Sequence, residues 1–153
     1  LTFVHATELS GWYRFENLPA GLNPALIAPT YNRKGDSKSS EMSFIDLEKL
    51  GYQQGEIAET KNSATYTQEG WGGFSYKIFL EWENTKRSQT GCWSISSSFP
   101  GWEKKQDAST VVLQVLQKGF NESNKTHAAW WHNFWTSSSI NIPDTILEKQ
   151  WYL

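Results

Sequence analysis

Residues 73–83 read GFSYKIFLEWE, and no other stretch limits the fold as sharply. Phe74, Tyr76, Ile78, Leu80 and Trp82 recur at period two, with Ser75, Lys77, Glu81 and Glu83 between them and Phe79 as the one exception. Successive side chains of a strand leave opposite faces, so this alternation predicts a strand buried on one side. Trp93, Ile95 and Ser97 repeat the pattern in GCWSISSS, and residues 84–91 form a polar connection long enough for an antiparallel return. Upstream, residues 56–60 and 64–68 flank Lys61-Asn62-Ser63 in the manner of a hairpin, and residues 12–16 alternate as well. Several short one-sided strands joined by turn-rich links point to a mainly β fold, an antiparallel β-sandwich over residues 1–105.

Within that region residues 18–40 carry Pro19, Pro24 and Pro29 and then the polar run NRKGDSKSS, which predicts an irregular loop with a mobile tip at 32–40. Near Gln106 the period changes. Ala108, Val111, Val112, Val115, Leu116 and Phe120 recur at three and four residues, with Asp107 or Ser109 placed to cap a helix and Gly119 placed to end it. A second helix is expected over about 123–135, with Trp131, Phe134 and Trp135 on one stripe and Trp130 beside them. Residues 106–142 thus read as a helical linker. Pro143 favours a new helix, and Thr145 with Glu148 has capping-box spacing. That last helix carries Ile146, Leu147, Trp151 and Leu153 with no C-terminal Gly or basic turn, so a further helical domain is expected to follow.

Composition narrows the function. A formal charge of -2 lacks the basic footprint of a nucleic-acid-binding domain. No apolar run approaches the ~20 residues that a membrane span needs. Cys92 is the single cysteine, so no intrachain disulfide forms, and its place in a strand pattern next to Trp93 makes it a core residue. His127 and His132 stand five apart, about 140° around a helix, and with His5 they give no metal-ligand spacing. Motifs for nucleophilic catalysis, phosphate binding and dinucleotide binding are absent, so no catalytic residue, metal or cofactor is assigned. Glu81 and Glu83 lie ~7 Å apart but point the same way, whereas glycoside hydrolysis needs acids on opposite sides of the bond. Two glycosylation-type sequons begin at Asn121 and Asn124, a match short enough to arise by chance.

What stands out is nine Trp in 153 residues. Trp supplies core and interface area, and its flat ring can also lie against a sugar. Gly70-Trp71-Gly72-Gly73 sets one Trp between glycines that allow a sharp turn, which makes Trp71 a candidate platform, and Trp12 is a second.

The ending HAAWWHNFWTSSSINIPDTILEKQWYL resembles the junction between an N-terminal β-sandwich and an (α/α)6 barrel in bacterial six-hairpin glycoside hydrolases. The residues that carry it are His127, Trp130, Trp131, Phe134, Trp135, Ser138, Ile140, Ile142, Pro143, Asp144, Leu147, Glu148, Trp151, Tyr152 and Leu153. VHATELSGWYRFEN, NPALIAPTY, DLEKLGY and GWGGFSYKIFLEW are similar to the sandwich portion of fucosidase-like sandwich-plus-barrel enzymes. The resemblance implies that residues 1–105 are a sandwich incomplete at its N-terminus and that 143–153 begin a barrel. It also implies that the catalytic carboxyl pair lies in that barrel, and that the protein is secreted or periplasmic and acts on an oligo- or polysaccharide. Trp130, Trp131, Phe134, Trp135 and Trp151 would then form the interface between domains. The alternative is a stand-alone carbohydrate-binding sandwich using Trp71 and Trp12, and a third possibility is a module whose aromatic helices dock a non-sugar partner.

Overall fold

A computed structural model describes residues 1–19, 22–28, 51–99 and 106–152. Its strands are β1 (Thr2–Val4), β2 (Gly11–Glu16), β3 (Glu56–Glu59), β4 (Ser63–Glu69), β5 (Ser75–Asn84) and β6 (Ser88–Ser97). They form one sheet in the order β1-β2-β6-β5-β4-β3, with every neighbouring pair antiparallel. The alternating stretch becomes β5, one of the two central strands, flanked by β4 and β6. The expected hairpin at 61–63 is the β3–β4 turn, closed by Thr60 N donating to Ser63 O at 2.8 Å. The predicted polar connection at 84–91 is mostly strand: the ladder runs on to the Asn84–Gln89 pair, and Thr85 to Ser88 makes the turn. The loop tip expected at 32–40 lies outside the described residues.

Among the described residues no second sheet faces this one. The second layer over one face is helical: α1 (Ala108–Lys118) and α2 (Phe120–Ser137), with α3 (Thr145–Trp151) beyond them. This explains Phe79. Register pairs Phe79 with Ser94 and Glu81 with Cys92, so these residues share the face on which α1 lies. There Trp12, Cys92, Val112, Val115 and Phe120 make one buried cluster, and Phe3, Phe79 and Leu116 pack against it. The opposite face carries Tyr13, Ala64, Leu80 and Trp82, with Leu26 and Trp93 against them. The sheet is therefore apolar on both sides at its centre, and the single off-pattern residue of β5 marks the helix-bearing side.

Helix limits follow from local chemistry. The Asp107 carboxylate accepts from Ser109 N at 3.0 Å, satisfying one of the free donors at the start of α1. Burial alone would raise the Asp107 carboxyl, but hydrogen bonds from Lys77 and Ser109, with the Lys77 charge, bring it below the usual carboxylate value. Gly119, at φ +86°, ends α1 and begins α2 directly, so α2 starts three residues earlier than periodicity alone indicates. Asp144, rather than Thr145, caps α3, accepting from Ile146 N at 2.9 Å and Leu147 N at 3.2 Å.

Between β2 and β6 two glycines each face an aromatic ring. Gly11 pairs with Trp93 and Tyr13 pairs with Gly91. A Cβ on Gly91 would stand 2.3 Å from the Tyr13 ring, and one on Gly11 would stand 2.2 Å from the Trp93 ring. Each ring lies across the bare backbone opposite it and shields the ladder from water. Burial here pushes the Tyr13 hydroxyl up to about 12. Gly91→Ala is therefore expected to destabilise the chain by about 1–3 kcal/mol through overpacking. Urea unfolding of the single and Tyr13→Ala double variants reads the coupling: the Gly91→Ala cost should shrink when the ring is gone.

Candidate functional site

α2 is held at its start and bare at its end. Phe120 is buried, edge-on to Trp12 at 5.7 Å and to Phe3 at 5.7 Å, with the Arg14 guanidinium 3.9 Å above its ring. Arg14 also donates to Asn121 Oδ1 at 2.9 Å, so the same cation grips the first turn twice. Ser123 is fully buried. From Ala128 to the end of the helix every residue is exposed.

That exposed half carries the aromatic residues singled out from sequence. Residues four apart lie one above the other on a helix. Trp130 accordingly stacks on Phe134 at 5.4 Å with 10° between planes, and Trp131 stacks on Trp135 at 5.9 Å and 18°. Edge-on contacts between Trp130 and Trp131 (4.8 Å) and between Phe134 and Trp135 (4.9 Å) tie the two rows together. The row continues at both ends. His127 lies against Trp131 and against Phe3 of β1, and Tyr152 sits edge-on to Trp135 at 4.9 Å. Tyr152 Oη donates to Ile140 O at 2.9 Å and accepts from Ile140 N, which holds α3 back against the end of α2. The four large rings of α2 remain 36–43% exposed, and Trp151 is 53% exposed on α3. The structure thus brings Trp130, Trp131, Phe134 and Trp135 into one surface, with Trp151 on the neighbouring helix.

Trp71 and Trp12 part company. Trp71 is 83% exposed on a single 3-10 turn, Trp71–Gly73, just before β5. Gly72 and Gly73 adopt φ +66° and +82°, values that L side chains rarely take, so the turn needs both glycines. Trp12 is 1% exposed, enclosed between β2, Cys92 and Phe120. A sealed indole offers no face to a ligand, so the expectation of Trp12 as a platform is corrected: it is a core residue.

The exposed rings of Trp130, Trp131, Phe134 and Trp135 carry no acid, base or nucleophile, so they act by contact and exclusion of water. Burial pushes the Cys92 thiol up to about 12, which leaves it protonated and unreactive. Among the described residues no group of three His, Cys, Asp or Glu residues could hold a metal ion. No described helix is long and apolar enough to cross a membrane.

A polar cluster that sequence patterns did not show fixes α2 in place. His5 Nδ1 accepts from the backbone N–H groups of Thr7 at 3.2 Å and Glu8 at 3.1 Å, which leaves the ring proton on Nε2. Nε2 then donates to Thr126 Oγ1 on α2 at 3.0 Å. Lys118, at the end of α1, donates to Glu8 Oε1. His5 and Thr126 lie 121 positions apart, and no local spacing could link them.

Protonating His5 would turn Nδ1 from acceptor to donor against two N–H groups. Burial lowers the His5 pKa from 6.5, and the Lys118 and His127 charges add to this, against opposition from Glu8 and from a hydrogen bond to Ser123. With the folded value below the unfolded one, the unfolded chain binds the proton first as pH falls. The His5 contribution to stability is therefore complete above about pH 6.5 and is lost as the pH drops through the folded value. Urea midpoints between pH 7 and pH 5 should fall more steeply for the wild type than for His5→Asn, whose side-chain oxygen still accepts. Equal slopes would show that His5 does not titrate against folding.

Comparison with protein-family models, with curated proteins and with solved structures gives no match to this chain.

Proposed function

We propose that this chain is a non-catalytic domain of a secreted or periplasmic glycoside hydrolase, and that the aromatic surface of α2 and α3 docks it against a following (α/α)6 barrel. The observation that carries the reading is the row of rings on α2, each packed on its neighbours yet each more than a third exposed. A row of mutually packed Trp and Phe is stiff before any partner arrives, so little side-chain entropy is lost on docking. Aromatic residues of this kind supply most of the energy of interfaces when they become fully desolvated. The residue order of the junction, from His127 to Leu153, gives the partner its class through resemblance to sandwich-plus-barrel enzymes.

In the same reading the sheet is one layer of a β-sandwich. Its face away from α1 carries Leu80, Trp82, Trp93 and Ile95, the last still 44% exposed, as a layer meant for a second covering would. Hydrolysis of the glycosidic bond, with inversion, then belongs to a carboxyl pair of the barrel, and this domain buttresses the barrel and shapes the rim of its cleft.

Two measurements test this. The coding sequence should continue past Leu153 into helical hairpins, and a stop codon there would sink the proposal. In the protein that sequence encodes, calorimetry should show the two domains unfolding together. Trp130→Ala with Trp135→Ala should split that event into two transitions, because the interface that couples them is gone. A single transition with an unmoved midpoint in the double variant would count equally against docking.

A further inference from the structure

The glycine-framed turn and the cleft beside it form a second surface that docking does not use. Ser98 Oγ accepts from Ser75 N at 2.7 Å and donates to Gly73 O at 3.2 Å, while Ser98 N donates to Ser75 O at 2.9 Å. These bonds fasten the Trp71 turn to the end of β6. Gly70 N donates to Phe74 O at 2.6 Å and closes the turn on itself. Trp71 is thus an indole offered to solvent from an anchored backbone, a placement that costs exposed apolar area and contributes nothing to the core.

Next to it, where β5 begins and β6 ends, lies a cleft of about 330 Å³. Thr67, Tyr76, Lys77, Ser97, Gln106 and Asp107 are among the residues that line it. Lys77 Nζ meets Asp107 Oδ2 at 2.8 Å with both side chains about 40% exposed, so the pair offers a donor and an acceptor side by side and carries no net charge. Register pairs Lys77 with Ser96 on the side where α1 lies, whereas Tyr76 turns to the other face, its ring against Tyr66 and Phe74.

We infer that Trp71 and this cleft together bind a pyranose-containing oligosaccharide. One sugar ring would lay its C–H face on the indole, where dispersion and loss of water favour contact. The adjoining ring would present hydroxyls, each both donor and acceptor, to Lys77, Asp107 and Gln106. The mixed and charge-neutral lining selects this class. A nucleic acid would require a basic surface, and a purely apolar ligand would leave these polar groups without partners. The inference shares no residue with the α2–α3 surface, so each can fail without the other.

The test is titration of the full chain with cello-, xylo-, laminari-, manno- and malto-oligosaccharides at millimolar concentration. Readouts are Trp fluorescence and the indole N–H resonances. At least one series should quench fluorescence and shift the Trp71 resonance. Trp71→Ala should weaken that binding by about tenfold or more, and Gln106→Ala by several-fold. Trp130→Ala should leave it unchanged. Because Trp71 is 83% exposed, the Trp71→Ala chain should keep the wild-type circular dichroism, so lost binding will not reflect lost folding. Absence of any shift at Trp71 across the panel, or undiminished binding by Trp71→Ala, would overturn the inference.

Discussion

Everything on the helical side of this molecule hangs on the contact between Trp12 and Phe120. Trp12 leaves the start of β2 and is sealed by Cys92 beside it and by the edge of Phe120 above it. Phe120 is the first residue of α2, immediately after the Gly119 bend, so burying this one ring sets where α2 starts. Its own cover is Arg14, a cation lying over the ring face and hydrogen-bonded to Thr90 and Asn121. A cation over an aromatic face is attractive and also keeps the charged head wet while the stem packs. The sheet thereby fixes one end of an eighteen-residue helix and leaves the other end to project.

Most of what repeats locally could be read from the chain. The alternation of β5, the β3–β4 hairpin, the change of period before α1, the cap at Asp107 and the stop at Gly119 rest on residues within one or two turns of each other. Cys92 as a core residue followed from its strand neighbours, and its full burial agrees. What escaped depends on partners far along the chain. β1 is three residues long and exists because β2 offers it a ladder. Trp12 looked like Trp71 in sequence, both being tryptophans beside glycine. Only the packing of α2 over one face of β2 separates a sealed ring from an open one. The extension of β5 to Asn84 and of β6 back to Ser88 was hidden by polar side chains at the sheet margin, where strand pairing needs no apolar pattern.

The aromatic surface of α2 is unusual for what it leaves undone. Large rings at helical spacing ordinarily face the core of their own domain. Here the residues that do so, Phe120 and Ser123, end before the aromatic stretch begins, and the rings beyond pack on one another. Mutual packing removes part of the cost of exposure without consuming the surface. A helix organised in this way is ready for a partner, and its sequence hydrophobicity overstates how much it stabilises the domain that carries it.

Apolar contact alone would not settle the direction in which α2 presents these rings, because hydrophobic burial has no preferred orientation. The polar cluster supplies it. His5 is pinned by two backbone amides in the turn after β1, and its remaining proton points at Thr126, one residue before the His127 that opens the aromatic row. The Glu8–Lys118 pair ties the same turn to the end of α1. Phe3 lies against His127, so the row starts on the sheet edge itself and runs through Trp131 and Trp135 to Tyr152. Rotating α2 about its axis would break the His5–Thr126 bond before the rings moved far. The hydrogen bonds of residues 5–8 therefore determine which way the aromatic face looks, although none of those residues belongs to it.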